Sequence, residues 1–215
     1  MKKLFLILCA AILFTACNKY KDYDTMLQGN WLCQEVNNLI VPTNKAFVMV
    51  VGEEKAMVAF RADTAWTENT VPFLLDKEKF TITDGAYSGE YKILSLSESK
   101  LRLEKNNVRY TLFKMTKNYE SDLVGNWYSV DSDGNQIFDV SFNRPNFNYN
   151  DGNIEISGTY RMYGDFLVLQ YSENQVDKVS CWLIAKNDDG FRVSSYFAMA
   201  GSVNLQEQFY NIKRK

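Results

Sequence analysis

The sequence has no histidine among its 215 residues. Without an imidazole, neither a Ser-His-Asp triad nor a Cys-His pair can form, and zinc sites that need a histidine ligand are excluded. An excess of charge of one sign is also missing, because 24 Lys and Arg stand against 26 Asp and Glu. No overall basic field is available to hold a nucleic acid. We therefore expect no nucleic-acid partner.

Long hydrophobic runs are confined to the N-terminus, where two lysines precede an apolar stretch, Leu4–Leu13. That stretch is shorter than the roughly 20 residues that a membrane-spanning helix needs. Small residues then lead into Cys17. The segment resembles a bacterial lipoprotein signal peptide, which implies removal of residues 1–16 and attachment of acyl chains to Cys17. The alternatives are an ordinary secretory signal or an uncleaved anchor.

The same resemblance implies a location in the cell envelope. Acyl chains on Cys17 would hold the protein to a membrane, on the periplasmic or the surface face of an outer membrane. Residues 17–26 would form a polar tether, and the acidic residues within Asn18–Asp24 loosely resemble the surface-export signals of Bacteroidota lipoproteins.

Four cysteines occur in the sequence, and Cys9 would leave with the signal peptide. With Cys17 carrying lipid, Cys33 and Cys181 remain. An oxidising compartment would permit a disulfide between them, but they lie in different predicted domains. Two separately buried thiols are the favoured alternative.

A duplicated motif organises the rest of the chain. The Leu-x-Gly-Asn-Trp of residues 27–31 returns at residues 123–127, and each copy follows a short polar, acidic stretch. Repetition of this kind predicts two tandem units. We place the first domain at 27–117, the linker at 118–122 and the second domain at 123–215.

Both units are rich in β-branched and aromatic residues arranged in short alternating runs, which predicts strands. The predicted strands of the first unit are 29–36, 45–51, 55–61, 70–75, 78–83, 88–95, 100–105 and 108–115. Those of the second are 125–131, 136–143, 146–150, 153–162, 165–171, 177–186, 190–197 and 206–213. Gly85, Gly134, Gly152 and Gly164 supply turns between them. The best helical candidate is Met199–Glu207.

About eight short strands per unit, joined by hairpins, predict an all-β protein of two tandem antiparallel up-and-down barrels, because closure removes exposed sheet edges. The Gly-x-Trp motifs are Gly29 with Trp31 and Gly125 with Trp127. With the meander and its internal Gly-x-Tyr, they resemble lipocalin-like domains. The resemblance implies that each tryptophan plugs the closed end of a barrel. It also implies a cation stacked on the indole, for which Arg109 and Lys213 are candidates.

Catalytic and metal-binding motifs are weak. Asp131–Asn135 resembles the start of a calcium loop, but the twelfth position, where an EF-hand requires glutamate, is Phe142. Adjacent carboxylates such as Glu53 and Glu54 point to opposite faces of a strand or into solvent, so they cannot converge on one substrate. Cys33 shares strand parity with Trp31 and is expected to be buried and inert. We therefore expect a protein that is not an enzyme and has no metal or cofactor.

Aromatic residues are abundant, with 13 tyrosines. The alternating Asn146–Asn150 is interpreted as a half-buried strand, with an exposed carbohydrate- or peptide-binding face as the alternative. The residues assigned to ligand binding are Tyr149, Tyr163, Tyr171 and Tyr196. The function favoured is a non-catalytic binding module for a small apolar or glycan-like ligand, which predicts a cavity of roughly 300 Å³ or more inside a barrel. The alternative is a scaffold of filled barrels that docks an envelope protein through a sheet edge or an inter-domain groove.

Overall fold

The computed structural model describes residues 22–198 and 204–215. The signal peptide and residues 17–21 of the predicted tether, including Cys17, lie outside the described residues, as does the first part of the helical candidate Met199–Glu207. The described end of that candidate is strand from Leu205 onwards, so the helix prediction is wrong there. Within the described ranges, no helix is both long enough and apolar enough to cross a membrane.

The first half of the chain forms a closed antiparallel barrel, barrel 1. Its elements are α1 Tyr23–Leu27, β1 Gly29–Val36, β2 Leu39–Ile40, β3 Phe47–Val51, β4 Lys55–Ala62, β5 Ala65–Asp76, β6 Lys79–Ile82, β7 Gly89–Leu96, β8 Lys100–Lys105 and β9 Val108–Lys114. Each strand from β3 to β9 pairs with its neighbour in the sequence, β3 also pairs with β1, and β9 returns to β1 and closes the sheet. β2 has only two residues and pairs with the last residues of β1, outside the closed ring of strands.

The second half forms barrel 2 with the same topology. Its elements are α2 Glu120–Leu123, β10 Gly125–Val130, β11 Gln136–Asn143, β12 Asn146–Asn150, β13 Glu155–Tyr163, β14 Phe166–Glu173, β15 Val176–Asn187, β16 Gly190–Ala198 and β17 Leu205–Arg214. Pairing of β10 with β17 closes the barrel. The prediction of an all-β chain with two tandem antiparallel barrels is confirmed.

Tight hairpins join several of these strands. The four glycines assigned to turns all have positive φ, a conformation that glycine adopts without a steric penalty. Three further hairpins use two consecutive residues of positive φ, as type I′ turns require. These pairs are Asn37 with Asn38, Asn106 with Asn107, and Asn174 with Gln175.

Each Gly-x-Trp tryptophan is buried at the start of its barrel, under the short helix that precedes it. The indole N–H of Trp31 donates to the Leu27 carbonyl at 2.7 Å, and that of Trp127 donates to the Leu123 carbonyl at 2.7 Å. Relative exposure is 0% for Trp31 and 3% for Trp127. Each tryptophan therefore ties the helix to the first strand and fills one end of the barrel.

A cation covers each indole, but neither is the residue expected from the sequence. The Lys114 ammonium lies 5.0 Å from the Trp31 ring centre, and the Arg214 guanidinium lies 5.3 Å from that of Trp127. The candidates Arg109 and Lys213 are wrong, because Arg109 pairs with Glu104 and Lys213 with Asp189.

The glycine of each motif makes room for this cation. Gly29 and Gly125 have φ values of +122° and +137°. A Cβ at Gly29 would lie 2.8 Å from Lys114 Cε, and one at Gly125 would lie 2.8 Å from Arg214 Nη2. Any side chain at either position would strain the backbone and push the cation off the indole.

The two barrels are packed against each other through a third hydrophobic core made of outward-facing side chains. Its buried members are Leu32, Ala46, Val48, Ala59 and Trp66 of barrel 1, Met115 of the connection, and Tyr163, Phe166, Val168, Val179 and Cys181 of barrel 2. Trp66 donates its indole N–H to the Tyr163 hydroxyl at 2.8 Å, and Arg161 pairs with Glu68 at 2.9 Å. The tandem domains therefore form one continuous packed body.

Candidate ligand-binding site

Barrel 2 encloses a cavity of about 300 Å³. Strand alternation points every second side chain of β11–β17 inwards. The apolar lining residues are Phe138, Val140, Phe142, Phe147, Tyr149, Ile154, Ile156, Leu167, Leu169, Tyr171, Trp182, Val193, Tyr210 and Ile212. The polar lining residues are Glu173, Ser180 and Gln208. One end of the barrel is filled by Trp127 and Phe191, whose ring centres lie 5.3 Å apart, so the cavity occupies the other end.

One wall of the cavity is a chain of four aromatic rings. Phe138 lies 5.2 Å from Tyr149 and 5.1 Å from Tyr210, measured between ring centres, and Tyr210 lies 5.9 Å from Trp182. Tilted and edge-on contacts at these distances are favourable for aromatic pairs. Each ring is therefore held in place by its neighbour in the unliganded barrel.

A second group of aromatic rings lines the cavity deeper along β11 and β12. Phe147 lies 6.2 Å from Tyr171 and 6.5 Å from Phe142, between ring centres. Phe142 and Phe147 are buried, whereas Tyr171 is half-buried near the end of β14. The deep part of the cavity is thus apolar, and the hydroxyl-bearing rings lie nearer the opening.

The few polar groups of the cavity are confined to that opening. Ser180 Oγ accepts the Trp182 indole N–H at 2.7 Å, and Gln208 donates to the Tyr210 hydroxyl at 2.6 Å. Glu173 forms an ion pair with Lys178. The Ser180 hydroxyl hydrogen and the Gln208 carbonyl are further polar groups of the lining that can bond a ligand.

The tyrosine hydroxyls at the opening stay protonated at neutral pH. Burial, followed by the negative charge of Asp151, raises the pKa of Tyr149 to about 12. Burial also raises the pKa of Tyr171, although the Lys178 ammonium opposes that shift. Both phenols therefore remain neutral hydrogen-bonding groups rather than phenolates.

The four tyrosines assigned from the sequence fall into two groups. Tyr149 and Tyr171 line the cavity. Tyr163 instead lies between the barrels, where it accepts from Trp66 and donates to Glu68. Tyr196 lies at the groove between the barrels, and its backbone N–H donates to the Thr43 hydroxyl at 2.6 Å.

Sequence reasoning missed most of the aromatic lining, notably Phe138, Trp182 and Tyr210. All three face inwards on predicted strands, and the alternation within each strand could have identified them, as with Phe138, Val140 and Phe142 on β11. Asn146–Asn150 is a half-buried strand, as interpreted, with Phe147 inside and Asn148 exposed.

In barrel 1, aromatic side chains occupy the space that corresponds to the cavity of barrel 2. Tyr87, from the loop before β7, reaches over the barrel and packs on Phe47 and Phe60 at ring-centre distances of 4.4 and 5.1 Å. Tyr110 adds an edge contact to Phe47 at 6.0 Å. Cys33 is buried beneath these rings, and this burial raises the pKa of its thiol to about 12. Aromatic side chains thus occupy the interior of barrel 1.

The acidic turn after β10 is a self-contained hairpin. Asp131 Oδ1 accepts the backbone N–H groups of Asp133 and Asn135 at 2.9 and 2.8 Å, and these bonds lower the pKa of Asp131. Its carboxylate therefore already has backbone donors. Within residues 22–198 and 204–215, no three Cys, Asp or Glu side chains are grouped closely enough to hold a metal ion.

Comparison with known proteins adds no relative. No protein-family model matches the chain, no curated protein is significantly similar in sequence, and no solved structure is significantly similar in fold.

Proposed function

We propose that this protein is a non-catalytic binding module of the cell envelope, and that its ligand is a small, largely apolar molecule held in the cavity of barrel 2. The observation that carries the proposal is the aromatic cavity of about 300 Å³. Small-molecule sites are typically concave, mostly apolar and preformed, with a few polar groups that fix orientation.

The distribution of polarity favours an apolar ligand over a glycan. A sugar presents hydroxyls around its whole ring, which would leave several of them without partners against Phe142, Phe147 and Leu167. An apolar molecule has no polar groups to leave without hydrogen-bond partners in that region. At roughly 30 Å³ for each water-sized group, the cavity accommodates about ten non-hydrogen atoms.

Binding of a neutral apolar fluorophore tests this proposal. 1-Aminonaphthalene, which is neutral at pH 7 and close to the size of the cavity, should bind the purified protein with a micromolar dissociation constant and quench the fluorescence of Trp182, which lines the cavity. Leu169→Trp should weaken binding by at least about ten-fold, because the larger side chain occupies the space left for the ligand.

Thr159→Trp is the matched control, since Thr159 lies on the outer, exposed face of neighbouring β13. That variant should bind the fluorophore like the unmodified protein. Absence of saturable binding, or equal binding by the Leu169→Trp variant, would contradict the proposal.

The envelope location rests on the N-terminal sequence. Lipidation of Cys17 would tether both barrels to a membrane, because two or more acyl chains give stable anchoring where one is marginal. Cys17→Ser is expected to prevent acylation and to block signal cleavage, so the variant should keep residues 1–16. Mass spectrometry of the mature N-terminus measures both effects. An unlipidated wild-type protein would refute the anchor.

A scaffold that docks an envelope protein is the second candidate, and the surface beside β2 favours it. Leu39 and Ile40 are 72% and 62% exposed, and Ile40 borders an inter-barrel groove of about 220 Å³. The fluorophore experiment separates the two candidates, because a scaffold role requires no occupant in barrel 2.

A further inference from the structure

Building on the proposed function, we propose that the ligand carries a positively charged amine or quaternary ammonium at one end of its apolar body. The cationic end would lie at the opening of the cavity, against Tyr149 and Tyr171 and beside the carboxylates of Asp151 and Glu173. The apolar end would fill the deep part of the barrel.

The aromatic rings at the opening supply the first part of the argument. The face of an aromatic ring is electronegative and attracts cations within about 6 Å. Tyr149 and Tyr171 are half-buried at the opening and line the cavity, so both rings border the space for the ligand. The same chain already uses this interaction at Trp31 and Trp127.

The charges at the opening supply the second part. Glu173 lines the cavity, and the Tyr149 hydroxyl donates to Asp151 Oδ2 at 3.5 Å. Asp151 also accepts the backbone N–H groups of Asn153 and Ile154, which lower its pKa and keep it ionised. Lys178 and Arg61 are the cations that act on Tyr171, and Lys178 is already paired with Glu173. Neither cation lines the cavity, whereas Glu173 does.

Burial distinguishes this arrangement from an anion site. The Glu173 side chain is 24% exposed and borders the cavity, whereas that of Lys178 is 44% exposed and lies outside the lining. A carboxylate on a ligand would meet Glu173 before it met Lys178. An ammonium at the opening would be attracted by Glu173, which lines the cavity, and by Asp151, which accepts from the Tyr149 hydroxyl.

A matched set of eight-carbon probes tests the charge of the ligand head. Octylamine, octanol and octanoate share one apolar body and at neutral pH differ in charge at one end. By competition with the neutral fluorophore at low ionic strength, octylamine should bind about ten-fold more tightly than octanol. Octanoate should bind more weakly than octanol.

Two variants identify the groups responsible. Glu173→Gln and Asp151→Asn should each reduce the ratio of octylamine affinity to octanol affinity by about three-fold or more. Glu173→Gln should also strengthen octanoate binding, because it frees Lys178. Glu155→Gln, at an exposed outward position near the same end of β13, is the control and should change none of these ratios.

The outcomes separate the two proposals. Equal binding of the three probes, or tightest binding of octanoate, would overturn the cationic ligand and leave the apolar binding site standing. Failure of octanol and of the fluorophore to bind would overturn the proposed function itself.

Discussion

Replacing Trp127 with alanine is expected to lower the free energy of unfolding by about 3–5 kcal/mol, and replacing Trp31 should have a similar effect. Both indoles are almost completely buried, so alanine leaves a large cavity at the closed end of the barrel. The loss extends beyond packing. Each indole N–H also holds the preceding helix, and each ring supports a cation that bonds back to the chain at Met26 or Val124.

Urea unfolding followed by circular dichroism measures this loss. Trp182→Ala is the internal control, because Trp182 is only half-buried at the cavity opening. It should cost about 1 kcal/mol, in the range typical of single substitutions. A loss below about 1 kcal/mol at both Trp31 and Trp127 would contradict the role of these residues as plugs.

The strands and the barrel architecture could be predicted from the sequence because a meander depends on local patterns. Alternation and turn residues set most of the strand positions, and the Gly-x-Trp motif marked the first strand of each barrel. The predicted strand ends differ from the observed ones mainly where a hairpin extends beyond its apolar residues. The clearest case is β5, which runs over Ala65–Asp76 rather than 70–75.

The cations over the tryptophans could not be predicted, because their position depends on register. The last strand of each barrel pairs with the first, which sets Lys114 opposite Trp31 and Arg214 opposite Trp127. A shift of one residue would turn these side chains to the other face. Sequence reasoning identified the last strands but not the register of closure, so the neighbouring Lys213 was an equally plausible candidate.

Which barrel contains a cavity also could not be read from the pattern. Both barrels have apolar inward faces, and the difference comes from Tyr87, a loop residue that packs on Phe47 and Phe60 in barrel 1. Loop conformation is not encoded in strand alternation.

The contact between the barrels could be predicted in part, from the continuous apolar runs Phe47–Val51 and Phe166–Leu169. Such runs indicate strands buried on both faces.

This shared core leads to the second large expected effect. Phe166 is fully buried between the barrels, with its ring centre 5.9 Å from that of Trp66. Phe166→Ala should lower the free energy of unfolding by about 3–5 kcal/mol. Because each barrel is closed by its own strands, the weakened contact should open while both barrels remain folded.

Cys33 and Cys181, the two free cysteines within the described residues, report on this opening separately. Cys181 lies in the core between the barrels and Cys33 inside barrel 1. Burial raises the pKa of both thiols to about 12. At neutral pH the native protein therefore has almost no thiolate at either position, and the buried sulfurs should resist alkylation. Exposure to solvent returns the pKa to about 8.5 and restores reactivity.

Alkylation followed by peptide mass spectrometry should show Cys181 of the Phe166→Ala variant reacting at least about ten-fold faster than Cys33. Phe80→Ala is the matched control, since Phe80 is equally buried but belongs, like Cys33, to the core of barrel 1. In that variant Cys33 should react as fast as Cys181 or faster. Equal labelling of the two cysteines in both variants would mean that the barrels open only by unfolding together, because a separable contact must expose Cys181 first.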